Sequence, residues 1–189
     1  MECCSTAPWS DIRPSNLLRE AARIYDDPRL GLQIDRLEGA AGIFAFGEKW
    51  MARALGLLRG GLSSPPASAA ILAGVLKYGL CSIVAALVFM VPDSLAIGAL
   101  GAVVAFYAIE AQFVFLFPLL IEGEERPWRR SIELTQAAGG TLRVMSIVLP
   151  IAASMLFGGF LGRGFMRSWC IGCLAILIWY SAVNQHLKN

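Results

Sequence analysis

Four long apolar stretches decide what this chain can fold into. They run over residues 68–91, 95–121, 142–162 and 168–186. Each is close to or above the length of about 20 residues that a helix needs to cross the hydrocarbon core of a bilayer. Away from the stretch ends, only Lys77 and Glu110 place a charge inside them; Arg143 stands just inside the start of the third. The bilayer core holds no water to satisfy open backbone groups, so such spans must be helices. The expected fold is therefore an all-α integral membrane protein. Its four transmembrane helices occupy residues 67–189, preceded by a cytoplasmic amphipathic helical segment and linker over residues 1–66.

Composition agrees with that division. Of the 189 residues, 16% are charged, against about 25% in soluble domains. The charge is segregated: residues 1–66 hold eight acidic and eight basic side chains. This balance gives no basic face for nucleic acid, which needs clustered Lys and Arg. Residues 1–10 have neither a basic n-region nor an apolar h-region. The first apolar stretch is then expected to act as the insertion signal, leaving residues 1–66 untranslocated.

Lys and Arg in the short connections set the expected orientation. The first connection, 92–94, has none; the second, 122–141, holds Arg126, Arg129 and Arg130; Lys49, Arg53 and Arg59 precede the first span and Lys188 follows the last. These place both termini and the second connection on the cytoplasmic side. Arg163 and Arg167 in the third connection oppose that placement. Pro118 and Pro150 fall within spans, where proline kinks helices. Gly158 and Gly162 fit the small-xxx-small pattern that lets membrane helices approach closely.

Residues 28–58 read as one long amphipathic helix with a wide apolar stripe, starting at Pro28 behind the capping candidates Asp26 and Asp27. A shorter helix is expected over 15–25, with Ser15 as its cap. Phe44, Phe46, Trp50 and Met51 on the long helix suit a position in the membrane interface, and packing on the bundle or on a partner subunit competes with that reading. In the second connection, Pro127 can start a helix on which Arg129 and Glu133 pair at i, i+4. Trp128, Arg129 and Arg130 there read as an interfacial anchor or a docking surface. Cys3 and Cys4 could be acylated, although two inconsequential free thiols are the preferred reading.

Two constellations could carry chemistry. Charges inside a membrane are costly, so Lys77 and Glu110 should pair or line a path. If the first two spans form a hairpin, the two residues differ in depth by only about 3 Å at the rise of an α-helix. A structural ion pair is preferred over a proton or ion relay in a channel or transporter subunit. The second constellation is Cys170-Ile-Gly-Cys173 at the start of the last span, where the helix dipole and Arg167 favour a thiolate. This layout is similar to the vitamin K epoxide reductase type, with four core helices and a C-x-x-C opening the last. The resemblance implies a quinone-linked thiol–disulfide oxidoreductase with Cys170 and Cys173 as catalytic residues. Those enzymes carry a second cysteine pair in a long first extramembrane loop, and residues 92–94 leave no room for one.

A single histidine, His186, leaves no zinc-type cluster and no nucleophilic triad except through itself. No cofactor or metal is expected. The preferred reading is a non-enzymatic multi-pass membrane protein that shapes the membrane, scaffolds, or serves in a complex through its amphipathic N-terminal helix. Its partners are the lipid bilayer and a protein partner or further copies of itself.

Overall fold

The computed structural model describes residues 12–32, 43–59, 67–91 and 93–187, and all regular structure among them is helical. Four helices are long and apolar enough to cross a membrane, over Ile71–Phe89, Leu95–Ile121, Gly140–Phe157 and Phe165–His186. Five of the eight α-helices among the described residues build them. α1 is Pro14–Asp26, α2 Ile43–Arg59, α3 Ala67–Phe89, α4 Leu95–Gln112, α5 Leu116–Ile121, α6 Pro127–Ala137, α7 Gly140–Phe157 and α8 Phe165–His186. One π-helical turn, Gly159–Arg163, joins the last two.

Proline chemistry sets the ends of α1. Arg13 is extended and Pro14 opens the helix, as expected when a proline pushes its predecessor out of the α region and supplies a preset first turn. The helix thus begins one residue before the expected cap, Ser15, which lies inside its first turn. At the other end Asp27 is extended again, directly before Pro28. Pro28 therefore closes α1 and lies in a turn instead of opening a helix over 28–58. Residues 29–32 of that expected helix are not helical, residues 33–42 lie outside the described residues, and residues 43–58 fall in α2.

α8 is the axis of the bundle: 67% of its most apolar window is buried, against 22% for α3. α1, α2 and α7 pack around α8, and α5 and α6 close one end. Leu17, Ala21 and Tyr25 of α1 and Trp50, Ala54 and Leu55 of α2 share one core with Phe115, Leu174 and Trp179. The segments preceding the first span are thus packed side by side with the apolar helices.

α3 and α4 form a hairpin that packs mainly on itself, with α3 also touching α2 and α4 touching α7. Leu72, Leu76, Ile83 and Leu87 on α3 and Ile97, Leu100 and Val104 on α4 are exposed. The second apolar stretch is not one rod. It breaks between Gln112 and Leu116, four residues before Pro118. The physical cause lies there: the ring of Pro118 clashes with the carbonyl of Val114 in a continuous helix, and Pro118 has no N–H to give it. Hydroxyls of α6 partner the freed carbonyls. Thr135 Oγ1 donates to Ala111 O and Ser131 Oγ to Gln112 O, each at 2.9 Å. The expected kink at Pro118 therefore appears as a break one turn earlier, whereas α7 continues through Pro150.

Gly158 is buried where α7 meets α8, and a Cβ there would collide with Ser168. Gly162 does not share this role. It lies in the π-helical turn at φ +76° with no neighbour near its absent Cβ, so its need for glycine is conformational. The unexpected close approach is Gly172 on α8, where a Cβ would run into Met155 of α7.

Candidate functional site

On α3 the buried side chains fall at four-residue spacing: Ala73, Lys77 and Cys81. That stripe turns Lys77 inward against α4. Lys77 Nζ donates to Glu110 Oε1 at 2.8 Å, with side-chain exposures of only 2% and 13%. The ammonium also lies 5.1 Å from the ring centre of Tyr78 and 5.3 Å from that of Phe117, an arrangement that aromatic quadrupoles stabilise. Glu110 Oε2 is buried and has no hydrogen-bond partner.

The pair lines a cavity of about 400 Å³ between the α3–α4 hairpin and the α7–α8 body. Phe106, Tyr107, Val148, Met155, Trp169 and Ile176 supply much of its apolar wall. Leu156 and Phe165 also line it and are 53% and 58% exposed, which marks the rim. The volume falls within the range of about 300–1,000 Å³ typical of small-molecule sites, as does the combination of apolar walls with a few convergent polar groups.

Cys170 and Cys173 are buried free thiols. Cys173 lines the same cavity. Arg167 is not directed at them: its guanidinium makes a two-pronged contact with Asp26 of α1, at 3.2 and 2.6 Å. Cys81 is a third buried free thiol, and Cys3 and Cys4 lie outside the described residues. No group of three His, Cys, Asp or Glu among the described residues could hold a metal ion.

The residues expected at the membrane interface divide. Trp50 and Met51 are not on the surface: they are 6% and 9% exposed, Trp50 Nε1 donates to Leu32 O at 3.0 Å, and its ring meets Trp169. Their stripe packs on the bundle, because the side of α2 that carries them lies against α3, α5 and α8. The side chains of Phe44 and Phe46 lie outside the described ones. Trp128 is half-buried with its ring edge-on to Phe113. Arg129 and Arg130 both pair with Glu133, at 3.0 and 3.2 Å. Hydrogen bonds from Arg130 and Arg129 hold the Glu133 carboxyl below the usual carboxylate range.

A polar cluster at the far end of α8 was not legible in the sequence. Glu122, just after α5, accepts from Arg59 at the end of α2, from Tyr180 Oη at 2.7 Å and from Asn184 Nδ2 at 3.4 Å. The Arg59 guanidinium lies 5.0 Å over the Tyr180 ring, and burial lowers its pKa from the ordinary value. The partners stand 63 and 58 residues apart in sequence, so no local pattern joins them.

α1 presents the opposite chemistry to the hairpin. Arg143, near the start of α7, donates to Ile12 O at 3.3 Å, while Arg167, near the start of α8, holds Asp26. α1, about 20 Å long at the helical rise, therefore runs along α8. Its outward side carries Arg13, Asn16, Arg19, Arg23 and Asp26, all exposed. Arg19 sits about halfway along α1. Comparison of the chain with known protein families, curated proteins and solved structures returns no match.

Proposed function

We propose that this protein is a non-enzymatic integral membrane subunit whose α3–α4 hairpin faces lipid and whose α1 face is covered by another protein subunit. One observation carries the reading. Two surfaces of opposite character, the apolar hairpin and the charged side of α1, stand beside helices of one bundle. Exposed apolar surface on this scale marks a lipid or protein contact. An Arg at the centre of hydrocarbon costs about 2.5–3.5 kcal/mol on insertion scales. Arg19 and Arg23 facing lipid would carry that penalty, and a protein subunit removes it.

Spin labels test this directly in nanodiscs, on Ile83→Cys and Arg19→Cys with Cys3 and Cys4 changed to serine. The label at 83 is expected to be reached by oxygen, as in lipid, and the label at 19 to be shielded from both oxygen and a water-soluble relaxant. A label at 19 open to lipid, or open to water in a particle holding one copy and no other protein, refutes the proposal.

A transporter or channel subunit is the second reading. The helix break that begins three residues after Glu110, beside a cavity holding an ion pair, supports it, since broken helices mark midplane binding sites in transporters. Proton or cation flux into liposomes that disappears in Glu110→Gln would favour it. The thiol oxidoreductase reading draws less support, because exchange requires access to the attacking thiol and both Cys170 and Cys173 are buried.

A further inference from the structure

We propose that the cavity between the hairpin and α8 is a binding site for a single-chain amphiphile with an uncharged, hydrogen-bond-donating head, such as a long-chain alcohol or a monoacylglycerol. The walls call for an apolar body. Phe106, Met155, Trp169 and Ile176 surround it, and the exposed rim residues Leu156 and Phe165 join it to the apolar outer surface. A ligand therefore arrives from the hydrocarbon phase with its chain trailing outward.

The ion pair sets the head. Glu110 Oε2 is buried without a partner, and a buried acceptor with no donor is the group that a ligand donor relieves. A carboxylate or phosphate head is disfavoured. Glu110 repels it at short range, and the Lys77 ammonium is already engaged with Oε1 at 2.8 Å. An ammonium head is disfavoured by Lys77 itself, whose charge already neutralises the carboxylate. A hydroxyl donates to Oε2 and adds no charge to a site whose pair is balanced. Discrimination by one unpaired buried polar group is large when the site is dry.

The inference shares with the proposed function only the placement of the hairpin in lipid. A label at residue 83 that meets water would overturn both, whereas the experiment here concerns the cavity alone. The full chain in nanodiscs is photolabelled with a diazirine-bearing C12 alcohol, and adducts are mapped by mass spectrometry. Competitors are 1-dodecanol, laurate and dodecylamine at equal concentration in the bilayer. Saturable adducts are expected on the α7 and α8 wall, around Met155, Trp169 and Ile176. Dodecanol should reduce them at least tenfold, and the two charged competitors less than twofold. Ala152→Phe adds bulk to the cavity from the α7 wall and leaves both ion-pair residues unsubstituted, and it should abolish the labelling while the protein remains folded by size exclusion and thermal unfolding. Ile176→Phe serves the same purpose if the first variant does not fold. Equal competition by all three amphiphiles, non-saturable labelling, or undiminished labelling of a folded cavity-filled variant would overturn the proposal.

Discussion

Removing Lys77 alone should be among the most damaging single changes in this protein, and removing the whole ion pair should be far milder. Lys77→Met keeps most of the side-chain volume and the contact with the Phe117 ring. It takes away the one partner of Glu110, whose second oxygen already has none. Breaking a buried pair on one side costs about 3–5 kcal/mol, whereas replacing both ions by apolar groups of similar volume is often neutral or stabilising. With exposures of 2% and 13%, solvent screening removes little of that penalty. A chain of this size shifts its Tm by roughly 2–4 °C per kcal/mol, so the expected loss for Lys77→Met is on the order of 10 °C. Lys77→Met with Glu110→Met should return to within a few degrees of the parent protein. The charge exchange Lys77→Glu with Glu110→Lys should recover part of what either reversal loses. Thermal unfolding of detergent-solubilised protein, followed by size exclusion, reads all of these variants. If the double methionine variant is no better than the worse single one, the two sites do not couple and the ion pair is not what destabilises the single variants.

Thr135→Val should lower stability by about 1–3 kcal/mol by leaving the Ala111 carbonyl without its donor, with faster amide exchange confined to 111–116 as the specific readout. Gly158→Ala should cost about 1–3 kcal/mol of overpacking, because its Cβ meets Ser168 and the Ser154 carbonyl. Gly172→Ala should cost less, since the atoms it meets belong to the flexible side chain of Met155; a reversed order in thermal unfolding contradicts the packing. The folded-state pKa of Glu133 is depressed, so its contribution is present above the unfolded carboxylate pKa and is lost as pH falls through the lower folded value. Because the group is exposed, Glu133→Gln should leave the thermal midpoint at pH 7 unchanged and flatten only a shallow acid limb. Cys170 and Cys173 should alkylate only after denaturation, with no dependence on reductant, and the double alanine variant should accumulate like the parent protein; a reductant-dependent disulfide would restore the oxidoreductase reading.

The parts of the fold that read clearly in the sequence were those written in continuous or periodic chemistry. Apolar length alone marks α3, α7 and α8, and comparing Lys77 with Glu110 in a hairpin relies only on the helical rise. The i, i+4 spacing of Arg129 and Glu133 was equally local. What could not be read was partner choice. The stripe of α2 carrying Trp50 and Met51 is compatible with lipid or with protein, and periodicity is blind to the difference. Pro28 is a helix opener by position and a helix stopper by its effect on Asp27, and the outcome depended on where α1 ended. Glu122 carries no local signal of its role, because Arg59, Tyr180 and Asn184 reach it only after α2 and α8 have packed. The cavity is a property of helix spacing, which no residue in the chain encodes by itself.

The break between Gln112 and Leu116 ties these observations together. Only Gly98 and Ala111 are fully buried on α4, whereas Leu116, Pro118, Leu119 and Ile121 are all buried on α5. A straight helix through 95–121 would have to stay in one place, at the periphery or in the core. Pro118 removes a hydrogen bond from the straight path and crowds the preceding turn, and α6 supplies Ser131 and Thr135 where carbonyls are freed. The chain can then leave an exposed hairpin and enter the core within one turn. The same redirection holds the hairpin to the body at its base, through Ser131, Thr135 and the contact of Gln112 with Thr141. Beyond the base, α3 reaches α2 and α5 and α4 reaches α7, while neither packs closely on α8. The space so left between the hairpin and α8 is the cavity, and Lys77 and Glu110 stand in its wall, Glu110 less than one turn before the break. Helix break and cavity thus meet at one place in the fold, where Pro118 and the hydroxyls of Ser131 and Thr135 redirect the chain, which is why a single hydroxyl change at Thr135 is expected to be felt around the break.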